Sequence, residues 1–362
     1  MSARLVTGLL LLTVAAAGSA SAQSGVVALA SAAQSGVVVQ ASAAQPAGCR
    51  AILIVEGKEQ DLYLVRHTGD QLFFHIPNAP ANAISGIKFD TIKGAEFAVE
   101  IDDTAVFEAI RLRQWKKAAT LLLDVVTPCL PFLDLPQNNA ADPALDAGLY
   151  LMRAAAAARE PDGAVTPAAT ALYEQALQIF TQVMRAEWYP GRERARLRAA
   201  LCQTACGRLD EAGKLIEAAR IPEPGDGDYG LHALARATLL FAQGKTMEAC
   251  NAASRSVAFE NKDTQVFPDA LLLSARCHEE LMDYYRARDI YFEVSRLFAA
   301  TEWGDQAYAK LSFIMDNKLT AEKEKANIAK VFFGSEEDMD KVVRAYIKLR
   351  QGTNKQPENT AK

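Results

Sequence analysis

Six cysteines give this sequence its widest choice of chemistry, because a thiol can form a disulfide, bind a metal or act as a nucleophile. Cys202 and Cys206 are four residues apart, so on a helix they would share one face, which suits a metal ligand better than a disulfide. No histidine stands in register with them, and we expect thiols packed inside the protein. Cys250 and Cys277 are predicted on successive helices, where a disulfide is an open alternative. CxxC and CxxCH signatures are absent, so thioredoxin-like and haem-binding sites are not indicated.

The histidines offer little metal chemistry. His278 lies in the run Cys277-His278-Glu279-Glu280, which gathers ligand-type side chains, but the HExxH pattern is missing. The register of the predicted helix puts His278 near the packed face, so we expect a core histidine and no metal site. His67 and His75 flank one turn of a predicted β-segment and would either face each other across a hairpin or lie separately on the surface.

Residues 225–230 (GDGDYG) match the GxGxxG pattern literally. A dinucleotide site needs a strand before the glycines and a helix after them. Here a predicted helix, Pro222 and Pro224 come first, and Asp226 and Asp228 would repel a pyrophosphate, so we predict a loop between repeats. These aspartates could contact Ca²⁺, but the ligand spacing of an EF-hand is missing. GxSxG, P-loop and kinase signatures are also absent, so the sequence predicts no cofactor and no enzymatic activity.

The composition is that of a globular protein: half of the 362 residues are hydrophobic and 23% are charged. The net charge is −5, and the lysines and arginines are scattered along the chain. Nucleic-acid binding requires a basic surface, so we expect no nucleic-acid partner.

Residues 1–22 have the pattern of a secretory signal peptide. Arg4 supplies the positive charge, Leu5 to Ala17 the apolar segment, and Ser19 to Ala22 the small residues that signal peptidase requires. Cleavage would make Gln23 the N-terminus, and we expect an exported protein of the periplasm or cell envelope, with secretion as an alternative. The apolar segment is shorter than the roughly 20 residues of a membrane span. No later segment is apolar enough, so no transmembrane span is predicted after cleavage.

Residues 23–48 are low in complexity, and QSGVV occurs twice, at 23–27 and 34–38. Without charges or large aromatic residues they predict a flexible tether. Cys49 follows the tether. Attachment of a lipid there is an open alternative, although Pro46 stands where a lipobox has leucine or a similar residue.

Residues 49–101 have the pattern of about five short β-strands, with a turn at 68–70 and a stop at Pro77. The apolar runs are 52–55, 62–67, 72–76, 84–89 and 95–99. Closely spaced short strands predict a small barrel or curled sheet. The pattern is similar to that of SH3-like or Sm-like barrels.

From Asp102 onward the hydrophobic period is helical, and a repeated pair of helices carries an aligned alanine in its second helix. The last three intervals between these alanines are 36, 37 and 38 residues, whereas the first is 58 and includes a proline-rich insertion around Pro128 and Pro136. In three units a second alanine stands 12 residues earlier. Two backbones approach closely only where both side chains are small, so we expect these alanines at helix contacts. The aligned positions are Ala118, Ala176, Ala212, Ala249 and Ala287, with Ala200, Ala237 and Ala275 in the first helices.

This pattern resembles the tetratricopeptide-repeat family, whose period is about 34 residues. The resemblance covers residues 102–319 and implies a mainly α fold, an α-α superhelix or solenoid preceded by the small all-β segment. The family's first-helix tryptophan is absent, and Arg113 and Met282 stand where Gly207 and Gly244 precede the turn in other units. Residues 320–350 are predicted to be capping helices, since a terminal repeat must cover its apolar face, and 351–362 a polar tail.

The resemblance implies a non-catalytic scaffold that binds a partner protein or peptide along the concave face of the first helices. The family's offsets from the alanines predict an apolar strip with polar ends at Arg276 and Glu279, unless the helix predicted at 339–349 folds back over it. Two other functions stay open, an envelope assembly factor of the lipoprotein type and an enzyme with a site between the β-segment and the repeats. The predicted groove residues are Arg194, Leu197, Leu201 and Thr204 in one unit, Leu231, Leu234, Thr238 and Phe241 in the next, and Asp269, Leu272, Arg276 and Glu279 in the third.

Overall fold

The computed structural model describes residues 49–77, 79–80, 83–160, 163–259, 266–320 and 336–353. The predicted signal peptide and tether, residues 321–335 of the predicted capping helices and residues 354–362 of the predicted polar tail lie outside these residues. Residues 47–362 form one compact unit, so the β-segment and the helices can be described together. Within the described ranges, no helix combines the length and the apolar character that crossing a membrane requires.

The β-segment is a five-stranded antiparallel sheet with the order β4-β3-β2-β1-β5. The prediction of five short strands is confirmed. Among the described residues no ladder joins β4 to β5, so the sheet is open rather than a closed barrel. The strands are β1 (Cys49–Val55), β2 (Lys58–Thr68), β3 (Gln71–His75), β4 (Ser85–Lys88) and β5 (Ile92–Phe97), with a 3-10 turn at Phe89–Thr91 between the last two.

Strand β1 shows why one face of the sheet is covered. Its buried and exposed residues alternate strictly, so that Cys49, Ala51, Leu53 and Val55 point inward and the residues between them point outward. This is the period of two that a strand with one buried face requires. The inward side chains belong to the same core as the first helices of the stack.

Twelve α-helices follow in the described part of the chain. Sequence neighbours pack as antiparallel pairs, which confirms the predicted helical superhelix. The helices are α1 (Asp103–Arg111), α2 (Trp115–Val126), α3 (Ala141–Ala157), α4 (Pro167–Val183), α5 (Arg192–Ala205), α6 (Leu209–Ala218), α7 (Tyr229–Ala242), α8 (Thr246–Phe259), α9 (Val266–Glu280), α10 (Tyr284–Leu297), α11 (Glu302–Asp316) and α12 (Glu336–Thr353).

The aligned alanines lie where helices pack. All eight have no exposed surface, as expected for small residues between closely approaching backbones. Their burial fixes the pairing, since a larger side chain at any of them would push two helices apart.

The proline-rich insertion between α2 and α3 carries the sheet. Residues Thr127–Phe132 form a 3-10 helix, and Phe132 and Leu135 pack into the core under β1. Asn139 extends the edge of β5: its Oδ1 accepts the Phe97 N–H at 2.8 Å, and its Nδ2 donates to the Phe97 carbonyl at 3.0 Å. The insertion therefore provides both an apolar floor and a polar edge for the sheet.

The two histidines of the sheet do not face each other. His67 Nε2 lies 2.6 Å from Asp134 Oδ2 of the insertion, and His75 Nδ1 lies 3.0 Å from the Ala83 carbonyl. Ladder pairing puts His67 opposite Leu72 and His75 opposite Tyr63. The alternative of a histidine pair across the hairpin is therefore wrong, and His67 instead helps to hold the sheet on the helices.

Helix α12 packs against α10 and α11. Val343 is fully buried there, the Tyr346 hydroxyl donates to the Ser295 carbonyl at 2.8 Å, and Arg288 Nη1 lies 2.6 Å from Asp340 Oδ1. The helix continues to Thr353, beyond its predicted end at Leu349. It covers the last helices of the stack and does not line the concave face.

Candidate functional site

The concave side of the stack contains a cleft of about 280 Å³. Its walls come from the inner helices α3, α5, α7, α9 and α11, with Val165 and Tyr173 added from the start of the α4 region. The described lining residues are Leu149, Met152, Arg153, Ala156, Arg159, Val165, Tyr173, Arg198, Leu201, Thr204, Ala205, Leu234, Thr238, Phe241, Ala242, Asp269, Leu272, Leu273, Arg276, Trp303 and Gln306.

Most of the predicted groove residues meet in this cleft. Eight of the twelve line it: Leu201, Thr204, Leu234, Thr238, Phe241, Asp269, Leu272 and Arg276. Only the column formed by Leu201, Thr238 and Arg276 lines the cleft in all three units. The side chains of Leu234 and Leu272 are nearly covered by neighbouring helices, so the strip is less exposed than predicted.

Four predicted residues lie outside the cleft. Leu197 and Leu231 are buried in the core with Ala200 and Ala237. Arg194 instead pairs with Asp228 at 3.0 Å. Glu279 accepts from the Tyr291 hydroxyl at 2.8 Å and from Lys310 Nζ at 3.0 Å.

The reason for these four differences is the twist of the stack. The cleft crosses α5 in its C-terminal half, at 198–205, but crosses α9 nearer its N-terminus, at 269–276. The cleft therefore meets each inner helix at a different position along the helix axis. A fixed offset from the alanine therefore puts the column of Leu201, Thr238 and Arg276 in the cleft, whereas the other columns reach it only in some units.

Contacts between α3 and α11 close one side of the cleft. The Arg153 guanidinium lies between two indole rings, 4.4 Å from the centroid of Trp115 and 3.7 Å from that of Trp303. Its Nε and Nη2 lie 2.5 Å from Glu302 Oε1, and both partners of this ion pair are largely buried. The first repeat joins this closure, because Arg113 Nη2 lies 3.2 Å from Asp305 Oδ2.

The charge inside the cleft is strongly positive. Its described lining carries four arginines and a single carboxylate, Asp269. Asp269 accepts a hydrogen bond from Trp303 Nε1 at 2.6 Å, and burial raises the pKa of its carboxyl despite that bond. Arg153 is held by Glu302, which leaves Arg159, Arg198 and Arg276 facing one acid among the described lining residues.

Arg159 and Arg276 are like charges placed side by side. Arg159 donates to the Tyr173 hydroxyl at 2.8 and 3.1 Å. Burial and the charge of Arg159 lower the pKa of the Arg276 guanidinium. Gly163 makes room for Arg276, since a Cβ there would lie 1.7 Å from Nη2. Within the described residues neither Arg159 nor Arg276 forms an ion pair, so both can hydrogen-bond an anionic group.

Sequence reasoning missed part of this site. Arg153, Arg159 and Tyr173 lie in the 58-residue interval, which hid their register, and Trp303 lies beyond the last aligned alanine. Arg198 precedes Leu201 by three residues. Because residues i and i+3 of a helix share a face, this spacing could have predicted Arg198 in the cleft. The convergence of these arginines depends on the curvature of the stack.

The other candidates for chemistry have structural roles. Cys202 is buried, Cys206 is partly buried, and the Cys250 sulfur lies 3.7 Å from His278 Nε2. Burial lowers the pKa of His278, as expected for a packed imidazole. No group of three or more His, Cys, Asp or Glu side chains in the described ranges is arranged to hold a metal ion.

The glycine-rich segment at 225–230 is a loop between repeats, as predicted. It follows α6 and leads into α7, which begins at Tyr229. Its aspartates form ion pairs with arginines: Arg220 lies 3.0 Å from Asp226, and Arg194 lies 3.0 Å from Asp228. Neither the strand nor the exposed phosphate cradle of a dinucleotide site is present in this loop.

Comparison with known proteins gives one family. The family model of the tetratricopeptide repeat matches residues 168–237, from the start of α4 into α7. No curated protein and no solved structure matches the chain. The buried alanines and helix pairs extend on both sides of the matched residues. The match supports a tetratricopeptide-repeat protein, and the packed helix pairs on both sides of it are consistent with a solenoid of such repeats, which follows the antiparallel sheet.

Proposed function

We propose that this protein is a non-catalytic interaction scaffold whose concave cleft binds a short acidic and partly apolar segment of a partner protein. Tetratricopeptide repeats generally mediate protein interactions, which supports the class of function. The observation that carries the proposal is the pair of neighbouring arginines, Arg159 and Arg276, in a cleft with one carboxylate.

Like charges in a partly buried site repel each other and are costly without a counter-charge. A carboxylate between Arg159 and Arg276 would relieve that repulsion and form charge-assisted hydrogen bonds with both. Leu201 and Phe241 are half-buried along the same cleft and provide apolar surface for neighbouring side chains of the ligand. Charge complementarity of this kind sets specificity and orientation in protein interfaces.

The dimensions favour a short ligand. A volume of about 280 Å³ holds a few side chains, and the contact of α3 with α11 closes one side. We therefore expect a chain end or a tight loop of the partner, rather than a long helix lying through the groove.

The lining also favours binding over covalent catalysis. Among the described lining residues there is no cysteine, serine or histidine, and the carboxyl of Asp269 is held by Trp303. An enzyme would need a converging nucleophile or base at this place. The hydroxyl beside the arginines, that of Tyr173, accepts hydrogen bonds from Arg159, and burial raises its pKa.

We also propose that the protein acts after export, in the periplasm or cell envelope. The support is in the sequence: Arg4, the apolar run from Leu5 to Ala17 and the small residues from Ser19 to Ala22. N-terminal sequencing of the mature protein should begin at or near Gln23. Recovery of the chain with Met1 intact from a membrane fraction would contradict export with cleavage.

Binding by the cleft can be measured by fluorescence anisotropy with labelled octapeptides. One pool would combine Asp and Glu with Leu and Phe, and a matched pool would carry Lys in place of the acids. We expect the acidic pool to bind and the basic pool not to bind. The double variant R159Q/R276Q should bind the acidic pool at least about tenfold more weakly, because two charge-assisted hydrogen-bonding groups are lost.

Arg255, exposed on α8 and remote from the cleft lining, gives the matched control. R255Q should bind as the unchanged protein does. Melting curves for all variants show whether they are folded. Equal binding of both peptide pools, or equal loss in R255Q, would refute the cleft as an acidic-peptide site.

A further inference from the structure

Cys49 and Cys129 bring two sulfurs together at the junction between the sheet and the helices. Their Sγ atoms lie 3.1 Å apart, although the residues are 80 positions apart in the chain. Cys49 is the first residue of β1, and Cys129 lies in the 3-10 helix of the insertion. Both are buried in one apolar cluster, with 4% and 2% of their surface exposed.

The surroundings hold this pair in place from several sides. Asn139 binds the edge of β5, and His67 binds Asp134 of the insertion. The inward face of β1 packs on Phe132 and Leu133 next to Cys129. The two thiols are thus fixed by contacts that do not depend on either sulfur, and a small movement would bring them to the bonded distance of about 2.05 Å.

We propose that Cys49 and Cys129 form a disulfide that fastens the sheet to the helical stack. The reaction requires an oxidant that carries a disulfide, either an oxidised dithiol protein or a glutathione disulfide. The Cys49 thiolate attacks one sulfur of that disulfide and releases the first oxidant thiolate. Cys129 then loses its proton, attacks the Cys49 sulfur and releases the second. Two thiols of the protein are oxidised and the oxidant's disulfide is reduced to two thiols.

In the docked geometry the two sulfurs lie within hydrogen-bonding distance, and either could be the donor. This contact lowers the pKa of the Cys49 thiol and raises that of the Cys129 thiol. Because both sulfurs are covered in the folded protein, an oxidant reaches them while the sheet docks during folding. A sulfur that forms this disulfide cannot also carry a lipid chain, so a disulfide at Cys49 excludes lipidation there.

The disulfide is independent of the proposed peptide binding, and its test uses the full chain. Reduced protein is unfolded, refolded in a buffer of reduced and oxidised glutathione, and treated with N-ethylmaleimide in denaturant before digestion and mass spectrometry. We expect the peptides of Cys49 and Cys129 to be joined, and Cys202, Cys206, Cys250 and Cys277 to carry maleimide. Maleimide on Cys49 and Cys129, or a link from either to another cysteine, would overturn the proposal.

A second measurement compares melting temperatures of oxidised and reduced samples. The disulfide closes a long loop, so the oxidised protein should melt about 10 °C higher. C250A/C277A removes two buried cysteines elsewhere and should keep this difference, whereas C49A/C129A should lose it. A redox-dependent shift that survives in C49A/C129A would also overturn the proposal. If C49A/C129A does not fold, the mass analysis decides.

Discussion

Four residues that end first helices share a left-handed backbone. Gly207 and Gly244 have φ of 76° and 74°, and Arg113 and Met282, which stand at the equivalent positions, have φ of 58° and 61°. After each of them, the next N–H donates to the carbonyl five residues earlier; for Met282 this bond runs from Asp283 to His278 at 2.8 Å. The same helix-ending turn therefore forms with and without glycine.

Replacing Met282 with glycine should stabilise the protein. A side chain in the left-handed region costs about 1–2 kcal/mol, and glycine avoids that cost but gains freedom in the unfolded chain. We expect M282G to raise the free energy of unfolding by about 0.5–1 kcal/mol in urea titrations. M282A is the control, since it removes the exposed side chain and keeps the strain. If M282A were as stabilising as M282G, loss of the methionine side chain, and not relief of backbone strain, would explain the effect.

At the scale of helices, small residues decide which surfaces meet. Ala200 and Ala212 are both fully buried in one helix pair, and Ala237 and Ala249 repeat the arrangement in the next. Interiors are close-packed, so added methyl groups at such contacts must displace a backbone or force unfavourable rotamers.

Leucine at Ala212 or Ala249 should therefore destabilise the stack. We expect A212L and A249L each to lower the free energy of unfolding by about 1–3 kcal/mol. A218L is the matched control, because Ala218 is exposed at the end of α6. Unchanged melting temperatures in both core variants would mean that the alanines are not tight contacts.

At the scale of the whole molecule, the curvature of the stack brings distant helices together. Arg153 of α3 and Glu302 of α11 are 149 residues apart, and their side chains are 13% and 7% exposed. Arg350 of α12 also reaches Asp305 at 2.8 Å. The Arg153–Glu302 contact bounds the cleft, so the shape of the cleft depends on an ion pair that neighbouring repeats alone do not supply.

Breaking the Arg153–Glu302 pair should be costly, because a buried carboxylate would lose its main counter-charge. We expect R153A to lower the free energy of unfolding by about 3–5 kcal/mol, and R153A/E302Q to recover part of that loss. R111A, which removes an exposed partner of Glu108, should leave stability unchanged. Additive effects of R153A and E302Q would show that the two residues act independently.

The sequence by itself determined the class of fold and much of the local structure. Alternation of apolar residues predicted the strands, because a sheet with one buried face requires a period of two. Recurring alanines predicted the helix pairs, because their spacing reflects contacts within one repeat. These features are local, and the five strands and the buried alanines are present as predicted.

The tertiary structure alone decided which predicted groove residues share the cleft and which charges join them. The twist of successive repeats moved Leu197 and Leu231 into the core, and the curvature brought Arg153 and Trp303 across from each other. The packing of the sheet on the insertion placed Cys129 beside Cys49. Small rotations accumulate over many repeats, so contacts between residues more than a hundred positions apart depend on the sum of all the packing angles, and no local pattern records that sum.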